Sequence, residues 1–458
     1  MLLRSISGLR GTVGESTPGL TAEVVARYAA AFAKYHGNNG ILAVGFDGRQ
    51  GGQHFYELCI RTLLTSGCDV MALGMVPTPT VQMAAEQRPE VAGGISITAS
   101  HNPGEWNGMK FIAQTGLFLD ANENHALWRI VDATGSAAPG PVSAPLFGSM
   151  QPATDYIYQH INAVLGIPYV DRERIRKRNF RVVLDAVNAS GSVAQPALLR
   201  HLGVTDIIEL SCDASGIFPH RPEPVPENLT SLKQAILDHK ADLGIVVDPD
   251  ADRLVLMMEN GEPFVEENTI VLAAEHVLRH ARPGQTVVVN LSTTRAVDDI
   301  AEQYGAKVLR TPVGEINVAT RMRDSHAIIG GEGSGGIILP EVHLGRDSLV
   351  GVALALAALA EFDGPISAKR KALPQYEIVK SKIELRTLEQ VTSVLTALEA
   401  TFRSRAVSIN HDDGIRLDFE RSWLHARASN TEPIIRIIAE APTREAAQAI
   451  VDEARAAI

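Results

Sequence analysis

The segment from Thr98 to Lys110 places a serine, a histidine and a lysine close together, directly after an apolar run at 91–97. A serine hydroxyl is a weak nucleophile at neutral pH and needs a base or a cation beside it. His101 follows Ser100, and Lys110 lies ten residues beyond Ser100. The segment predicts a strand that ends before Ser100 and a loop that carries this serine as a nucleophile. A polar loop whose side chains only satisfy backbone groups is the alternative.

Three carboxylates, Asp248, Asp250 and Asp252, follow a second apolar run at 243–247. Carboxylates at alternate positions can converge only on something positive, and Mg²⁺ prefers such oxygen ligands. Arg253 adds a permanent planar charge suited to a phosphate or a carboxylate. The pattern favours a magnesium site, with a solvated acidic turn as the alternative.

A glycine-rich segment at 330–336, with the sequence GGEGSGG, carries Glu332 and Ser334. Glycines allow a close approach of the backbone to a ligand, and these two side chains can bind sugar hydroxyls. The Lys-Ser/Thr ending of a P-loop is missing, which argues against nucleotide binding here.

Arg427 stands two residues before Ser429, Asn430 and Thr431, and the four together could form a compact anion cradle. A hydrogen-bonded Ser-Asn-Thr turn is the alternative. Arg10 is a further cation in a loop flanked by glycines.

The composition is that of an ordinary globular protein of 458 residues, which is long enough for about three or four domains. The formal charge of −11, from 42 basic and 53 acidic residues, argues against nucleic-acid or membrane binding by bulk electrostatics. Three scattered cysteines fit a reducing compartment, and the N-terminal segment lacks the apolar stretch of a secretion signal. The apolar run at 351–362 is too short to span a bilayer and predicts a buried helix. We therefore expect a cytoplasmic protein.

Strand-like and helical runs alternate along most of the chain, which predicts α/β units with largely parallel sheets. Strands are predicted at 41–46, 70–73, 91–97, 181–184, 207–210, 243–247, 286–289, 327–330, 378–385, 415–419 and 434–439. Helices are predicted at 54–66, 193–201, 229–239, 269–280, 295–304, 387–403 and 443–457, and a linker at 133–145. From about residue 376 the pattern is typical of a two-layer α+β domain. The chemistry-bearing segments follow strand ends, where open α/β sheets bind ligands, and together they indicate phosphoryl transfer on a phosphosugar.

In order and spacing, the four motifs resemble those of the α-D-phosphohexomutases, which include phosphoglucomutase, phosphomannomutase and phosphoglucosamine mutase. The resemblance covers nearly the whole chain. It implies three related α/β domains with mixed sheets and a C-terminal α+β domain similar to the TATA-binding-protein fold, all around a central cleft. The implied domains are 1–145 with the phosphoserine, 146–255 with the metal, 256–372 with the sugar loop and 373–458 with the phosphate loop.

The resemblance also implies a role for each motif. Ser100 would carry the phosphate, and its phosphoserine oxygen would hold Mg²⁺ together with Asp248, Asp250 and Asp252. The further catalytic residues would be His101, Lys110 and Arg10, and the substrate-binding residues would be Arg253, Glu332, Ser334, Arg427, Ser429, Asn430 and Thr431. The implied reaction interconverts hexose 6-phosphate and hexose 1-phosphate, with hexose 1,6-bisphosphate as intermediate and activator. Either Lys110, which we prefer, or His101 would transfer the hydroxyl proton.

Two departures concern the choice of sugar. Many bacterial members end the sugar loop in histidine, whereas this chain has Gly336, a form more similar to the archaeal-type branch. In addition, the segment 290–295 has no lysine where some phosphomannomutases place one. Arg346 could supply the missing cation, or it could belong to a helix start beside Asp347. We expect hexose phosphates as ligands, with glucosamine phosphate preferred and mannose or glucose phosphate as the alternatives.

Two remoter readings remain. An aspartyl phosphatase would use Asp248 as nucleophile and Asp250 as acid and base, but would leave the Ser100, Glu332 and Arg427 segments unexplained. A non-catalytic sugar-phosphate-binding regulator would be favoured by loss of the serine or the aspartates, all of which are present. The sequence does not distinguish a monomer from a homo-oligomer.

Overall fold

The computed structural model describes residues 1–14, 19–133, 147–385, 387, 389–428 and 434–458. These residues form two compact units, one made of 1–269 with 335–367 and the other of 270–334 with 368–458. The linker predicted at 133–145 lies outside the described residues, apart from Ala133, which ends a helix.

The strands within the described residues are β1 (Leu2–Ser5), β2 (Gly8–Thr12), β3 (Ile41–Phe46), β4 (Asp69–Met75), β5 (Val91–Ile97), β6 (Trp106–Ala113), β7 (Met150–Pro152), β8 (Arg181–Asp185), β9 (Asp206–Ser211), β10 (Leu243–Val247), β11 (Leu254–Met258), β12 (Thr286–Asn290), β13 (Lys307–Thr311), β14 (Ile329–Glu332), β15 (Gly336–Ile338), β16 (Glu377–Glu384), β17 (Ser408–Asn410), β18 (Ile415–Asp418), β19 (Trp423–Ala428) and β20 (Ile434–Ala441). The helices are α1 (Ala22–Tyr35), α2 (Gly52–Thr65), α3 (Thr78–Gln87), α4 (Ala121–Ala133), α5 (Tyr156–Leu165), α6 (Arg172–Arg178), α7 (Gly191–Leu202), α8 (Thr230–His239), α9 (Glu267–His280), α10 (Ala296–Gln303), α11 (Glu315–Ser325), α12 (Ser348–Glu361), α13 (Ile366–Ala372), α14 (Gln390–Phe402) and α15 (Arg444–Ala456).

The first sheet of the first unit has the strand order β1-β2-β6-β5-β3-β4-β7. Strands β5, β3, β4 and β7 run parallel, while β6, β2 and β1 pair antiparallel to their neighbours. The sheet is therefore mixed, as the family resemblance implies, and not largely parallel as the alternation alone suggests. Its apolar residues pack with α1, α2 and α4 into one core.

The loop predicted after β5 is short, because the chain re-enters the sheet as β6 at Trp106, a strand that the sequence analysis did not predict. Lys110 therefore lies on a strand, paired with Ser96 of β5. The turn-forming residue Gly108 is needed in this strand for a steric reason, since a Cβ at 108 would lie 2.3 Å from the carbonyl oxygen of Leu9. Arg10 is likewise on a strand, β2, and not in a loop.

The second sheet of this unit has the order β11-β10-β8-β9. β10 is parallel to β8 and antiparallel to β11. All of its residues are buried, which explains the uninterrupted apolar run at 243–247. The predicted strands at 41–46, 91–97 and 243–247 are confirmed to the residue.

The second unit contains the parallel strands β13-β12-β14 and an antiparallel sheet with the order β16-β20-β19-β18-β17. Apolar residues of α14 and α15 share a core with this antiparallel sheet. The two-layer α+β arrangement predicted for the end of the chain is thereby confirmed.

Helix α12 is buried from Ser348 to Leu359, as the apolar run predicts. Its first turn is capped by Asp347, whose Oδ1 accepts a hydrogen bond from the Leu349 N–H at 2.8 Å. Of the helices that the structure describes, none alone is long and apolar enough to cross a membrane; α12 and α13 together meet that length and composition only as a pair bent by 89°.

Candidate active site

Ser100 lies in the short loop between β5 and β6 and is 1% exposed. Its Oγ donates a hydrogen bond to Asp248 Oδ2 at 2.9 Å, and His101 Nδ1 lies 3.3 Å from the same Oγ. The φ angle of Ser100 is +51°, in the left-handed region, which costs an L-residue about 1–2 kcal/mol. The structure thus brings the predicted serine nucleophile to the predicted acidic cluster, at a conformational cost.

Asp248, Asp250 and Asp252 follow the buried strand β10 and are at most 1% exposed. One oxygen from each lies within 4.8 Å of the others, so the three could hold a metal ion. Oδ1 of Asp250 and Oδ1 of Asp252 are buried and accept no hydrogen bond. Buried carboxylate oxygens that accept no hydrogen bond are costly, and a hard divalent cation would satisfy both, although Arg253 Nε also lies 3.7 Å from Asp252 Oδ1. The residues present therefore fit Mg²⁺.

The carboxylates do not share one electrostatic environment. Burial, followed by the negative charges of Asp252 and Asp250, raises the pKa of Asp248 well above its usual range. Burial would also raise the pKa of Asp252, but the cations around it, above all Arg346 and Lys110, hold it below the usual range. The negative charge of the cluster is therefore offset least at Asp248, the carboxylate that contacts Ser100.

Lys110 is 2% exposed and points at the cluster from β6. Its Nζ lies 2.6 Å from Asp250 Oδ2 and 3.1 Å from Asp252 Oδ2. Burial would lower its pKa, yet the two carboxylates outweigh burial and raise it. Lys110 is thus a charged ammonium, which can donate a proton but cannot accept one. Asp250 Oδ2 also accepts a hydrogen bond from Thr78 Oγ1 at 2.8 Å.

Two more arginines, Arg10 and Arg253, act electrostatically on His101. The Arg253 guanidinium, burial and Arg10 lower the pKa of His101 to about 2, so its imidazole is neutral. Arg10 donates to Asn102 Oδ1 at 3.0 Å, and burial lowers the pKa of its guanidinium. The surroundings of His101 are therefore strongly cationic, which suits a phosphate group.

Arg346 supplies a cation to the cluster, an alternative that the sequence left open. Its Nη2 donates to Asp252 Oδ2 at 2.7 Å, and the residue is 9% exposed. The helix cap is made by the next residue, Asp347, so the two functions are divided between neighbours. A Cβ at position 336 would lie 2.2 Å from Arg346 Cδ. Gly336 is therefore required for the path of this side chain.

Asp47 and Arg49, which follow β3, are buried beneath the Ser100 loop, and Arg49 contacts the loop backbone directly. The sequence analysis predicted the strand at 41–46 but assigned no role to Asp47 or Arg49, which follow it. A signal was available, because an Asp-Gly-Arg sequence directly after an apolar strand places two charges where open α/β sheets bind ligands.

In the second unit, Glu332 ends β14 and is 4% exposed. Its Oε1 accepts hydrogen bonds from Asn290 Nδ2 at 2.8 Å and from the Gly314 N–H at 3.1 Å. Ser334 is half-buried two residues further on. These contacts fix one carboxylate oxygen of Glu332.

Arg427 lies on β19 of the same unit. The sequence analysis placed it in the turn after that strand, which is wrong. Its Nε is 2.9 Å from Asp413 Oδ2, and Asp413 also accepts the Val313 N–H at 3.0 Å. The other predicted cradle residues lie outside the described residues: Ser429, Asn430 and Thr431.

Comparison with known proteins gives a consistent result along the whole chain. Family models described as phosphoglucomutase/phosphomannomutase alpha/beta/alpha domains I, II and III match residues 2–138, 157–261 and 266–376, and the model of the C-terminal domain matches 378–457. A probable phosphoglucosamine mutase from Methanopyrus kandleri is 33% identical over 98% of this chain and 95% of its own length. A phosphoglucomutase/phosphomannomutase from Thermococcus kodakarensis is 34% identical over 96% of this chain and 95% of its own length.

Solved structures agree. A phosphoglucomutase/phosphomannomutase family protein from Burkholderia thailandensis superposes with a TM-score of 0.85 at 27% identity, covering 100% of this chain and 97% of its own. The N-acetylphosphoglucosamine mutase of Aspergillus fumigatus, determined in complex with GlcNAc-6P and magnesium, shares the fold with a TM-score of 0.59 at 15% identity, covering 99% of this chain and 95% of its own.

Proposed function

Because the chain belongs to the phosphoglucomutase/phosphomannomutase family, we propose that it interconverts hexose 6-phosphate and hexose 1-phosphate through a phosphoserine at Ser100, with glucosamine phosphate as the preferred substrate. The observation that supports this best is the contact of Ser100 Oγ with Asp248 at 2.9 Å, inside a buried cluster of three carboxylates. A hydroxyl held there is placed to exchange a phosphoryl group beside a divalent cation.

Asp248, Asp250 and Asp252, together with an oxygen of phosphorylated Ser100, would hold Mg²⁺. When bound, the ion would offset the charge that develops on the phosphoryl group during transfer. Arg10 and Arg253 would bind the remaining phosphate oxygens, since the Nε of each is buried without a hydrogen-bond partner in the part of the chain that the structure describes, and both cations act on His101, the residue after Ser100.

Phosphoserine 100 donates its phosphoryl group to the free hydroxyl of a hexose monophosphate. A bond forms between the sugar oxygen and phosphorus, the bond between Ser100 Oγ and phosphorus breaks, and hexose 1,6-bisphosphate results. The bisphosphate turns over, and its other phosphate returns to Ser100. Either Lys110 or His101 would transfer the hydroxyl proton: Lys110 is a charged ammonium beside the carboxylates, and His101 Nδ1 lies 3.3 Å from Ser100 Oγ.

We propose that Glu332 and Ser334 bind ring hydroxyls, and that Arg427 with residues 429–431 holds the distal phosphate. The division into domains 1–145, 146–255, 256–372 and 373–458 is part of the same proposal, as is a cytoplasmic location.

The preference for glucosamine phosphate rests on relatives such as the probable phosphoglucosamine mutase of Methanopyrus kandleri. The second candidate is a phosphomannomutase/phosphoglucomutase, which is the printed name of the Thermococcus kodakarensis relative. Glycine at position 336 leaves the end of the sugar loop without a side chain, which is compatible with turnover of more than one hexose phosphate.

A panel of hexose 1- and 6-phosphates, each assayed with its bisphosphate and Mg²⁺, tests the proposal. We expect turnover of glucosamine phosphate to be highest and EDTA to abolish it. Mass spectrometry with peptide mapping should find phosphate on Ser100, and Ser100→Ala should lose both phosphate and activity. Conversion of mannose phosphate without glucosamine phosphate would favour the second candidate, whereas phosphate on Asp248 would favour an aspartyl phosphatase.

A further inference from the structure

The backbone of Ser100 is enclosed in a ring of hydrogen bonds that closes on one oxygen of Asp47. The Ser100 N–H donates to Thr98 Oγ1 at 2.8 Å, and the Thr98 hydroxyl donates to Asp47 Oδ2 at 2.6 Å. Arg49 Nε donates to that same Oδ2 at 2.8 Å, and Arg49 Nη2 donates to the carbonyl oxygen of Ser100. Both peptide groups of the serine are thus fixed through Asp47.

Arg49 also holds the far end of the loop. Its Nη1 donates to the carbonyl oxygen of Trp106 at 2.7 Å, and the carbonyl of Asn102 lies at 3.5 Å. One guanidinium group therefore joins the start and the end of the segment 100–106. The Phe218 ring lies 5.5 Å from the guanidinium carbon, and the Arg49 and Asp47 side chains are fully buried. Hydrogen bonds in such dry surroundings are stronger than at the surface.

We propose that Arg49, oriented by Asp47, is a positioning residue that keeps Ser100 in its left-handed conformation while the serine loses and regains its phosphate. The inference rests on the proposed function, because it requires Ser100 to be the phosphate carrier. A serine at φ +51° would relax to a commoner conformation if nothing held it, and its Oγ would leave Asp248. Arginine is needed because its fixed fork bonds several carbonyls at once, whereas the lysine ammonium is a single point charge.

Arg49→Lys tests this, because it keeps the positive charge beside Asp47 and loses the fork. Arg416→Lys is the matched control: Arg416 is 2% exposed, pairs with Asp418 at 2.7 Å, and bonds the backbone carbonyl of Leu291 in the second unit. We expect Arg49→Lys to lower kcat about 100-fold with a nearly unchanged KM, as a misplacement of about 1 Å would. Arg416→Lys should leave kcat close to the wild-type value at a comparable loss of melting temperature.

Hydrogen exchange of peptides covering 98–106 provides a second measurement that does not depend on the sugar. Exchange there should accelerate in Arg49→Lys and stay unchanged in Arg416→Lys. If Arg49→Lys fails to fold, Asp47→Asn, which replaces one carboxylate oxygen of the ring by an amide group, should give the same pattern. Wild-type kcat in the folded Arg49→Lys protein, or an equal loss in both arginine variants, would overturn the inference. A wild-type protein that converts no hexose phosphate would instead refute the proposed function.

Discussion

Replacing Lys110 by methionine should change the stability of the metal-free protein and its affinity for Mg²⁺ in opposite directions. Methionine has about the same length and no charge, so the substitution removes the ammonium while filling most of its volume. It removes the cation that pairs with both Asp250 and Asp252 and, among the described residues, leaves Asp252 with Arg346 as the only cation at hydrogen-bonding distance. We expect the metal-free protein to become less stable and Mg²⁺ to bind more tightly.

The magnitude follows from the two distances. At an effective dielectric constant of 20, a unit charge pair at 2.6 Å attracts by about 6 kcal/mol and one at 3.1 Å by about 5 kcal/mol. Much of this offsets the cost of burying the charges, and loss of one partner of a buried pair destabilises by about 3–5 kcal/mol net. If Mg²⁺ removes about 3 kcal/mol of that penalty, linkage makes its binding about 100-fold tighter in the variant.

Isothermal titration calorimetry with MgCl₂ measures the affinity, and thermal denaturation in EDTA and in saturating MgCl₂ measures the stability. Turnover should move the other way, falling at least about 100-fold because the proton donor is gone. Lys369→Met is the control, since Lys369 is also buried but pairs with Glu275 in the second unit. Its loss of stability should be the same with and without Mg²⁺.

An unchanged magnesium affinity in Lys110→Met would refute the reasoning. So would an equal magnesium-induced rise in melting temperature in the wild type and both variants. Either result would mean that the ammonium and the metal ion do not neutralise the same carboxylates.

Three further outcomes follow from single contacts. Gly336→Ala should fold but lose turnover, because the added Cβ would displace Arg346 from Asp252. Arg346→Met added to this variant should cause little further loss of turnover. Additive losses in a double-mutant cycle would contradict the prediction. His220→Gln should lower the free energy of unfolding at pH 6 but much less at pH 9. The hydrogen bond to Asp185 raises the pKa of His220 in the folded protein. The protonated histidine therefore stabilises the fold fully below about pH 6.5, and this stabilisation is lost as the pH rises through the raised pKa. Urea denaturation at both pH values checks this, and equal losses would refute it. Cys212 should react slowly with Ellman's reagent in the native protein, because burial raises its pKa to about 12; reaction as fast as in urea would count against it.

Elements with uninterrupted apolar runs were predictable from the sequence, as the exact bounds of β5 and β10 show. β6 was not, because Asn107 and Gly108 are typical of turns, and only the neighbouring strand explains a glycine in that place. The proximity of Ser100 to the three aspartates was expected from residue types and the family resemblance. The roles of these residues stay predictions.

Contacts that arise only from tertiary packing could not be predicted from the sequence. The two possible roles of Arg346 could be named from the sequence, but the choice depends on where its side chain runs relative to Gly336. The ring of hydrogen bonds around Ser100 joins residues 47 and 49, which follow β3, to residues 98 and 100, which follow β5. The sequence of β3 or of β5 alone does not indicate that these residues meet. Such contacts depend on the three-dimensional arrangement of strands, which local patterns do not specify.

A side chain at position 336 and the present path of the Arg346 side chain exclude each other. This steric conflict restricts which substitutions the two positions can accept. A Cβ placed 2.2 Å from Arg346 Cδ makes the two substitutions epistatic, so their order matters. A histidine at 336 would require the Arg346 side chain to move or to be replaced by a smaller one, and either change would leave the acidic cluster with one cation fewer. We therefore expect the two positions to covary among relatives, and a histidine grafted alone into this chain to inactivate it.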